Sequence, residues 1–395
     1  ADPSLLEFID YLLNWSRAFP IFVMTLARPG HDTGAGPKRN ATSISLEPLP
    51  ARAMQLLLTG LVPGLSAELT AKILDRAEGV PLYAVETVRM LLDRKLLVQE
   101  GPVYRPTGPV DDLEVPETLH ALIAARLDGL TAIERRLIQE ASVLGKTCTP
   151  AALAAVSGLS EREIEPVLAA LVAKEVLTVQ ADPRSPERGQ YGFLQDLVRT
   201  VAYETLPKKD RKAMHLRVAS FLQVAWGSED GDEVVEVVAS HYLEAHRLAP
   251  DADDAPQIRD LAHGMLVRAG ERAASLAAPA EAGAYFERAA ELSVASTERA
   301  ALLERAGSMA LQLGHLERAT GLVTEAKRLF EEADQSRLAA RAEAGLAAIA
   351  FEQGHLDQAI ERARHAHHVL AGDEPDATYA LVAGQFGRFL ALAGN

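Results

Sequence analysis

The last third of this chain repeats itself. Gly307, Gly314, Ala319 and Ala326 recur forty residues on as Ala347, Gly354, Ala359 and Ala366. The turn Leu313-Gly-His-Leu-Glu-Arg-Ala319 returns as Gln353-Gly-His-Leu-Asp-Gln-Ala359. The same ladder of small residues lies upstream at Gly270, Ala277, Ala282 and Ala289, and begins again at Gly387 and Gly394. A period in the high thirties with small residues at fixed offsets marks stacked helix pairs. The small residues let antiparallel helices approach closely, and Gly314 and Gly354 are placed to end the first helix of a pair in a left-handed cap. A solenoid of this kind presents an extended binding surface. A protein partner is therefore expected through the repeats, and chemistry has to be sought upstream.

Bulk properties narrow the upstream search. The chain has 395 residues, enough for roughly two to four domains. Its net charge of −15 opposes nonspecific binding to nucleic acid or anionic membranes. Cys148 is its one cysteine, which excludes an internal disulfide and suits a reducing, cytoplasmic setting. No apolar run is long enough to span a membrane. Asn14-Trp-Ser16 and Asn40-Ala-Thr42 match the glycosylation sequon, but without a secretion signal they read as chance matches. Ala1 reads as the approach to a helix N-cap and Gly394-Asn395 as the turn of a repeat, so the reading is of a piece of a longer protein, cut at both ends.

Hydrophobic spacing orders the rest. Residues 4–18 carry apolar positions at helical spacing. Residues 20–27, Pro-Ile-Phe-Val-Met-Thr-Leu-Ala, form a continuous apolar run, the pattern of a strand buried on both faces, and 43–46 suggest a second short strand. Helices are expected over 50–60, 66–78 and 81–96, then a Pro/Gly loop over 101–116. Residues 117–206 read as a winged helix: helices at 117–128, 131–144, 149–157 and 160–174, a strand at 176–180, and a return strand at 191–193. Residues 196–225 read as helical, and an acidic stretch around 228–256 leads to the repeats. In the last helix, about 376–393, Leu381, Val382, Phe386, Phe389 and Leu390 are expected to leave an apolar strip exposed.

Several words in this order resemble a known family. Ala1-Asp-Pro-Ser-Leu-Leu is similar to the segment after the Walker B motif of STAND-type signalling ATPases. The stretch ending Thr25-Leu-Ala-Arg28-Pro resembles their sensor strand, and Gly79-Val-Pro81 their Gly-x-Pro motif. Phe193-Leu-Gln-Asp-Leu-Val-Arg-Thr-Val-Ala-Tyr203 resembles the phrase after their winged helix, with Gln195 where that phrase carries His. The order is similar to that of ATPases attached to bacterial nucleotide cyclases and of large LuxR-type activators. The resemblance implies a mainly α chain with a remnant of an α/β P-loop core at 1–46, a helical lid at 47–116, a winged helix at 117–206, a connector with an acidic linker at 207–260, and TPR-like repeats at 261–395. It implies ATP, with Mg²⁺ in the whole protein, as the cofactor of a signal-transduction switch. Thr25 and Arg28 would face the phosphates and Gly79 and Pro81 the adenine. A cyclase or DNA-binding output would lie outside this chain.

The chain departs from that family in one decisive respect. No Gly-x-x-x-x-Gly-Lys-[Ser/Thr] occurs. The nearest word, Gly145-Lys-Thr147, follows a helix rather than a strand and reads as a C-cap. No catalytic residue is singled out. His365, His367 and His368 have no cysteine or fixed carboxylate to complete a metal set and read as a solvated face. The winged helix's third helix opens Ser160-Glu-Arg-Glu-Ile-Glu165, whose acids suit the helix dipole and oppose a phosphate backbone. The basic cluster Lys208, Lys209, Arg211, Lys212 and Arg217 is expected to pair with the acidic stretch. A second reading stays open: an interaction adaptor with no nucleotide function.

Overall fold

The structure is a computed structural model that describes residues 3–16, 19–26, 42, 44–109, 116–180, 188–225, 234–371 and 376–394. The fold is mainly α. The chain divides into two compact units, one of residues 42–221 and one of 1–41 with 222–395.

The unit of residues 42–221 contains two packed blocks. The first is built from α2 (Ala51–Leu61), α3 (Ala67–Ala77) and α4 (Pro81–Asp93), followed by a hairpin of β1 (Leu97–Glu100) and β2 (Val103–Pro106). Met54, Leu58, Leu69, Ile73, Leu91 and Leu97 fill its core. The sequence reading carried the third helix on to residue 96 and took 101–116 as loop. Instead the chain leaves α4 at Arg94, with Lys95 left-handed, and Leu97 pairs with Pro106 across the hairpin.

The second block runs through α5 (Leu119–Asp128), α6 (Ala132–Leu144), β3 (Thr147–Cys148), α7 (Pro150–Ser157), α8 (Glu161–Ala173), β4 (Leu177–Val179), β5 (Tyr191–Phe193) and α9 (Asp196–Glu204). The strands form one antiparallel sheet in the order β3-β5-β4. Its helix starts are legible in the sequence. Thr131 and Glu134 close a capping box on α6, and Ser160 and Glu163 another on α8. α5 serves both blocks: Leu122 joins the core of the first, while Ile123 and Leu127 join that of the second. The helix expected over 196–225 is two helices, because Pro207 lacks the N–H that would continue α9. α10 (Lys208–Ala225) starts after it.

In the other unit α1 occupies Pro3–Trp15. The strand expected at 20–27 does not form: described residues 20–26 have no regular structure, and Phe22, Met24 and Leu26 are exposed. Residues 44–46, in the other unit, are likewise exposed and irregular. A buried parallel strand needs neighbours on both edges, and no described strand pairs with either segment. The expected α/β remnant is thus one helix and irregular chain among the described residues of 1–46.

The repeats form a solenoid. α11 (Val235–Leu248), which sequence reading placed in a linker, packs on α12 (Ala255–Ser275). Then come α13 (Pro279–Leu292), α14 (Ser296–Gln312), α15 (Leu316–Glu332), α16 (Ser336–Glu352), α17 (Leu356–Leu370) and α18 (Ala377–Leu392), each packed on the one before. Close approach explains the small residues. A Cβ built on Gly270 would lie 2.4 Å from the Phe286 ring, and one on Gly307 would lie 2.5 Å from Val323. In α16 the buried Glu343 accepts from Arg362 of α17 at 2.8 Å and ion-pairs with Lys327 of α15 at 2.7 Å, tying three helices together. Burial pushes its carboxyl pKa up, but Lys327 and Arg362 outweigh that and hold it below the usual range. On α18, Phe389 is fully buried and stacks on Phe351 at 5.2 Å, which corrects its assignment to an exposed strip. Val382 is buried as well, and Leu381 and Leu392 are the large apolar side chains of that helix that are exposed.

The repeat turns share one geometry. His315 and His355 N–H groups reach back to Ala310 and Ala350 carbonyls at 2.9 Å, with Gly314 and Gly354 left-handed. The turn after α12 does the same, Ala278 N–H to Ala273 carbonyl at 2.9 Å, but its left-handed residue is Ala277, at φ 55°. A left-handed alanine costs about 1–2 kcal/mol that glycine avoids. Ala277→Gly is therefore expected to raise stability by about 1 kcal/mol, read as a higher Tm in calorimetry, whereas Gly314→Ala lowers it.

Burial lowers the pKa of His241, on α11, to about 4. The unfolded chain takes up this proton near pH 6.5, so folding strength is lost progressively as pH falls from there towards 4. The loss amounts to about 3 kcal/mol. Urea unfolding between pH 7 and 4 should show this slope in the solenoid, and His241→Leu should flatten it.

Candidate functional site

Two of the four residues picked from the sequence lie in one turn. Gly79 is left-handed at φ 79°, follows left-handed Glu78, and precedes Pro81, the first residue of α4. Its carbonyl accepts the Leu49 N–H at 2.8 Å. A Cβ there would lie 2.6 Å from the Leu49 carbonyl oxygen, so the close pass of residues 48–49 explains the glycine. The Val80 N–H bonds to Ala77, and Pro81 has no N–H to offer. Val80 and Pro81 present an exposed apolar edge. Thr25 is exposed in irregular chain, and Arg28 lies outside the described residues.

The other sequence candidates resolve as structure. Gly145 caps α6 and Thr147 pairs with Gly192 in the sheet, so Gly145-Lys-Thr147 is a turn and not a phosphate loop. His367 packs on Tyr379 and Phe386 of α18. No metal-competent cluster occurs among the described residues. At the start of α8, Glu161, Glu163 and Glu165 are all exposed, an acidic edge opposed to a phosphate backbone. Arg211 and Arg217 of the basic cluster donate to the Leu206 and Val156 carbonyls. His263 Nε2 lies 3.1 Å from Ser293 Oγ and 3.7 Å from Glu298. Both contacts use the same nitrogen, so the carboxylate cannot orient the ring from behind as a triad requires. A cleft lined by Leu127, Asp128, Arg135, Ile138, Gln139, Ala202 and Thr205 measures about 150 Å³, below the roughly 300 Å³ at which ligand pockets begin.

The strongest cluster is one the sequence reading missed. Glu86, on α4, is completely buried. Its Oε1 accepts from Arg89 Nη1 and from Gln195 Nε2, both at 2.7 Å, and its Oε2 from Arg126 Nη1 at 2.7 Å. Arg126, on α5, has a side chain only 4% exposed. It also donates through Nε to Asp93 at 3.3 Å and through Nη2 to the Lys174 carbonyl at the end of α8. Arg89 pairs onward with Glu175, and Lys174 Nζ meets both oxygens of Glu134 at 2.7 Å. Burial works to raise the Glu134 pKa, yet Lys174 and the Thr131 cap hold it below the usual range. The network joins α4 to α5, α6, the end of α8 and the turn before α9. It spends its charges on each other and offers no reactive group, so its chemistry is that of a joint.

Removing one member of such a pair leaves an uncompensated buried charge, at about 3–5 kcal/mol. Glu86→Ala should lose that much in urea unfolding. Glu117→Ala, which breaks the exposed pair with Arg76, should stay within about 1 kcal/mol of wild type.

No protein-family profile matches the chain. An uncharacterised protein of Rhizobium meliloti (strain 1021) is 24% identical over 353 residues, covering 84% of this chain and 31% of that protein. The chain thus spans about a third of the length of that curated relative. Among solved structures, a STAND protein with a tetratricopeptide repeat sensor from Pyrococcus horikoshii aligns over 91% of this chain and 53% of its own, at 14% identity and TM-score 0.34. BtubC from P. vanneervenii aligns over 48% of this chain and 85% of its own, at 18% identity and TM-score 0.34. The Cut9–Hcn1 hetero-tetramer of the APC/C aligns over 80% and 57%, at 11% identity and TM-score 0.28. At these scores none of the three assigns the chain an activity. No helix among the described residues is long and apolar enough to cross a membrane.

Proposed function

We propose that the chain is the regulatory and scaffold portion of a nucleotide-dependent signalling protein. In this reading α2–α4 are the lid of a STAND-type ATPase, and the block from α5 to α9 is its winged helix. The helix pairs α12–α17, with α18, are a TPR-like surface for a protein partner. The observation that carries the reading is the Glu86 joint. A switch transmits a signal only through bodies that move as units, and the joint binds lid and winged helix into one such body. Gly79 and Pro81 would border the base of ATP, while Thr25 and Arg28 would face its Mg²⁺-bound phosphates. The Walker segments, and a cyclase or DNA-binding output, would come from sequence outside these residues. The setting is cytoplasmic.

A second reading, an interaction adaptor without a nucleotide, is favoured by the Gly79 turn, where the Gly79 carbonyl and the Val80 N–H are already used within the chain. Hydrogen exchange with and without millimolar Mg²⁺–ATP or ADP separates the two. Slower exchange at residues 79–84 supports the nucleotide reading. An unchanged pattern across the whole chain supports the adaptor.

A further inference from the structure

We infer that the Glu86 cluster is an orientation latch: its charges, more than the apolar packing around them, select the angle between the α2–α4 block and the α5–α9 block. Glu86, Arg126 and Gln195 are then positioning residues.

Three features point this way. The first is where the partners come from. Glu86 takes one donor from its own helix, one from α5 and one from the turn before α9, while Arg126 reaches on to the end of α8. Rotating one block against the other strands at least one buried ion, whereas apolar side chains such as Leu122 would find new neighbours. A buried ion pair adds little to stability over a hydrophobic pair of the same volume, but it admits fewer arrangements.

The second feature is Gln195. Its Nε2 serves Glu86, yet its Oε1 is buried without a partner. A side chain kept for packing alone would not leave a buried acceptor unpaired. The amide is held for one bond. The third is Glu175, which ends α8 in the left-handed region at φ 53°, a place where glycine is unstrained. Glu175 instead carries a carboxylate to Arg89. Both residues accept a local penalty in order to complete the ring of charge around α4.

The latch rests on the same joint as the proposed function, but the two fail separately: an orientation set by packing would still leave the two blocks one body, and the nucleotide is tested independently by hydrogen exchange. The test uses the full chain with spin labels on cysteines placed at exposed Arg52 in α2 and exposed Glu165 in α8. The native Cys148 is buried, with its thiol pushed up to about 12, so it stays unlabelled. In the wild type, pulsed dipolar spectroscopy should give a single narrow distance. In the double variant Glu86→Leu/Arg126→Met, unfolding should stay cooperative with Tm within about 5 °C, while the distance distribution at least doubles in width or splits. Two results overturn the inference. One is an unchanged narrow distance in the double variant, which would assign orientation to packing. The other is loss of cooperative unfolding, which would make the charges a plain support.

Discussion

The contacts that join α4 to α5, α6, α8 and the start of α9 are organised around a carboxylate that water cannot reach. An isolated ion in that position would be strongly unfavourable. Glu86 is stable there because each of its oxygens meets a cation at 2.7 Å, with the Gln195 amide as a third donor. Those donors are fixed in turn: Arg126 by Asp93 and the Lys174 carbonyl, Lys174 by Glu134, and Glu134 by the capping box that starts α6. The positions of four helix ends follow from one buried charge.

The solenoid solves its packing differently but uses the same device once. Small residues at Gly270 and Gly307 let neighbouring helices come within reach of a single side chain, and shared turn geometry keeps each pair in register. Glu343 then plays for α15, α16 and α17 the part that Glu86 plays upstream, one carboxylate between two cations from different helices. Both are joints, each holding helices together through residues that are far apart in sequence.

What the sequence disclosed and what it hid divide along the range of the interactions. Repeat turns and the helix starts near 131 and 160 are local signals, and they were readable; the capping boxes that fix those starts span only four residues each. The apolar run at 20–27 has the composition of a strand, but a strand is made by its neighbours, and among the described residues it has none. The β1–β2 hairpin was hidden because Gly101-Pro102 and Pro106 read as loop. The Glu86 joint was hidden most thoroughly. Its partners lie 40 and 109 positions away, and a lone Glu in an apolar helix looks like any solvent-facing residue until the fold closes over it. Gln195 was noticed as a departure from a family phrase, but the phrase does not say that its amide meets Glu86. Gly79 and Pro81 were found where a turn was expected. The structure accounts for both by backbone geometry, and the phosphate-facing roles of Thr25 and Arg28 rest on resemblance.

The central claim, that Glu86 and Arg126 act as one coupled unit across two packed blocks, is tested most directly by a double-mutant cycle. Unfolding free energies of the wild type, Glu86→Gln, Arg126→Met and the double variant would be measured in urea at constant pH and salt. The account predicts a coupling energy above about 1.5 kcal/mol, with the double variant more stable than the sum of the single losses implies. Additivity to within about 0.5 kcal/mol would show that the two side chains contribute independently and would contradict it.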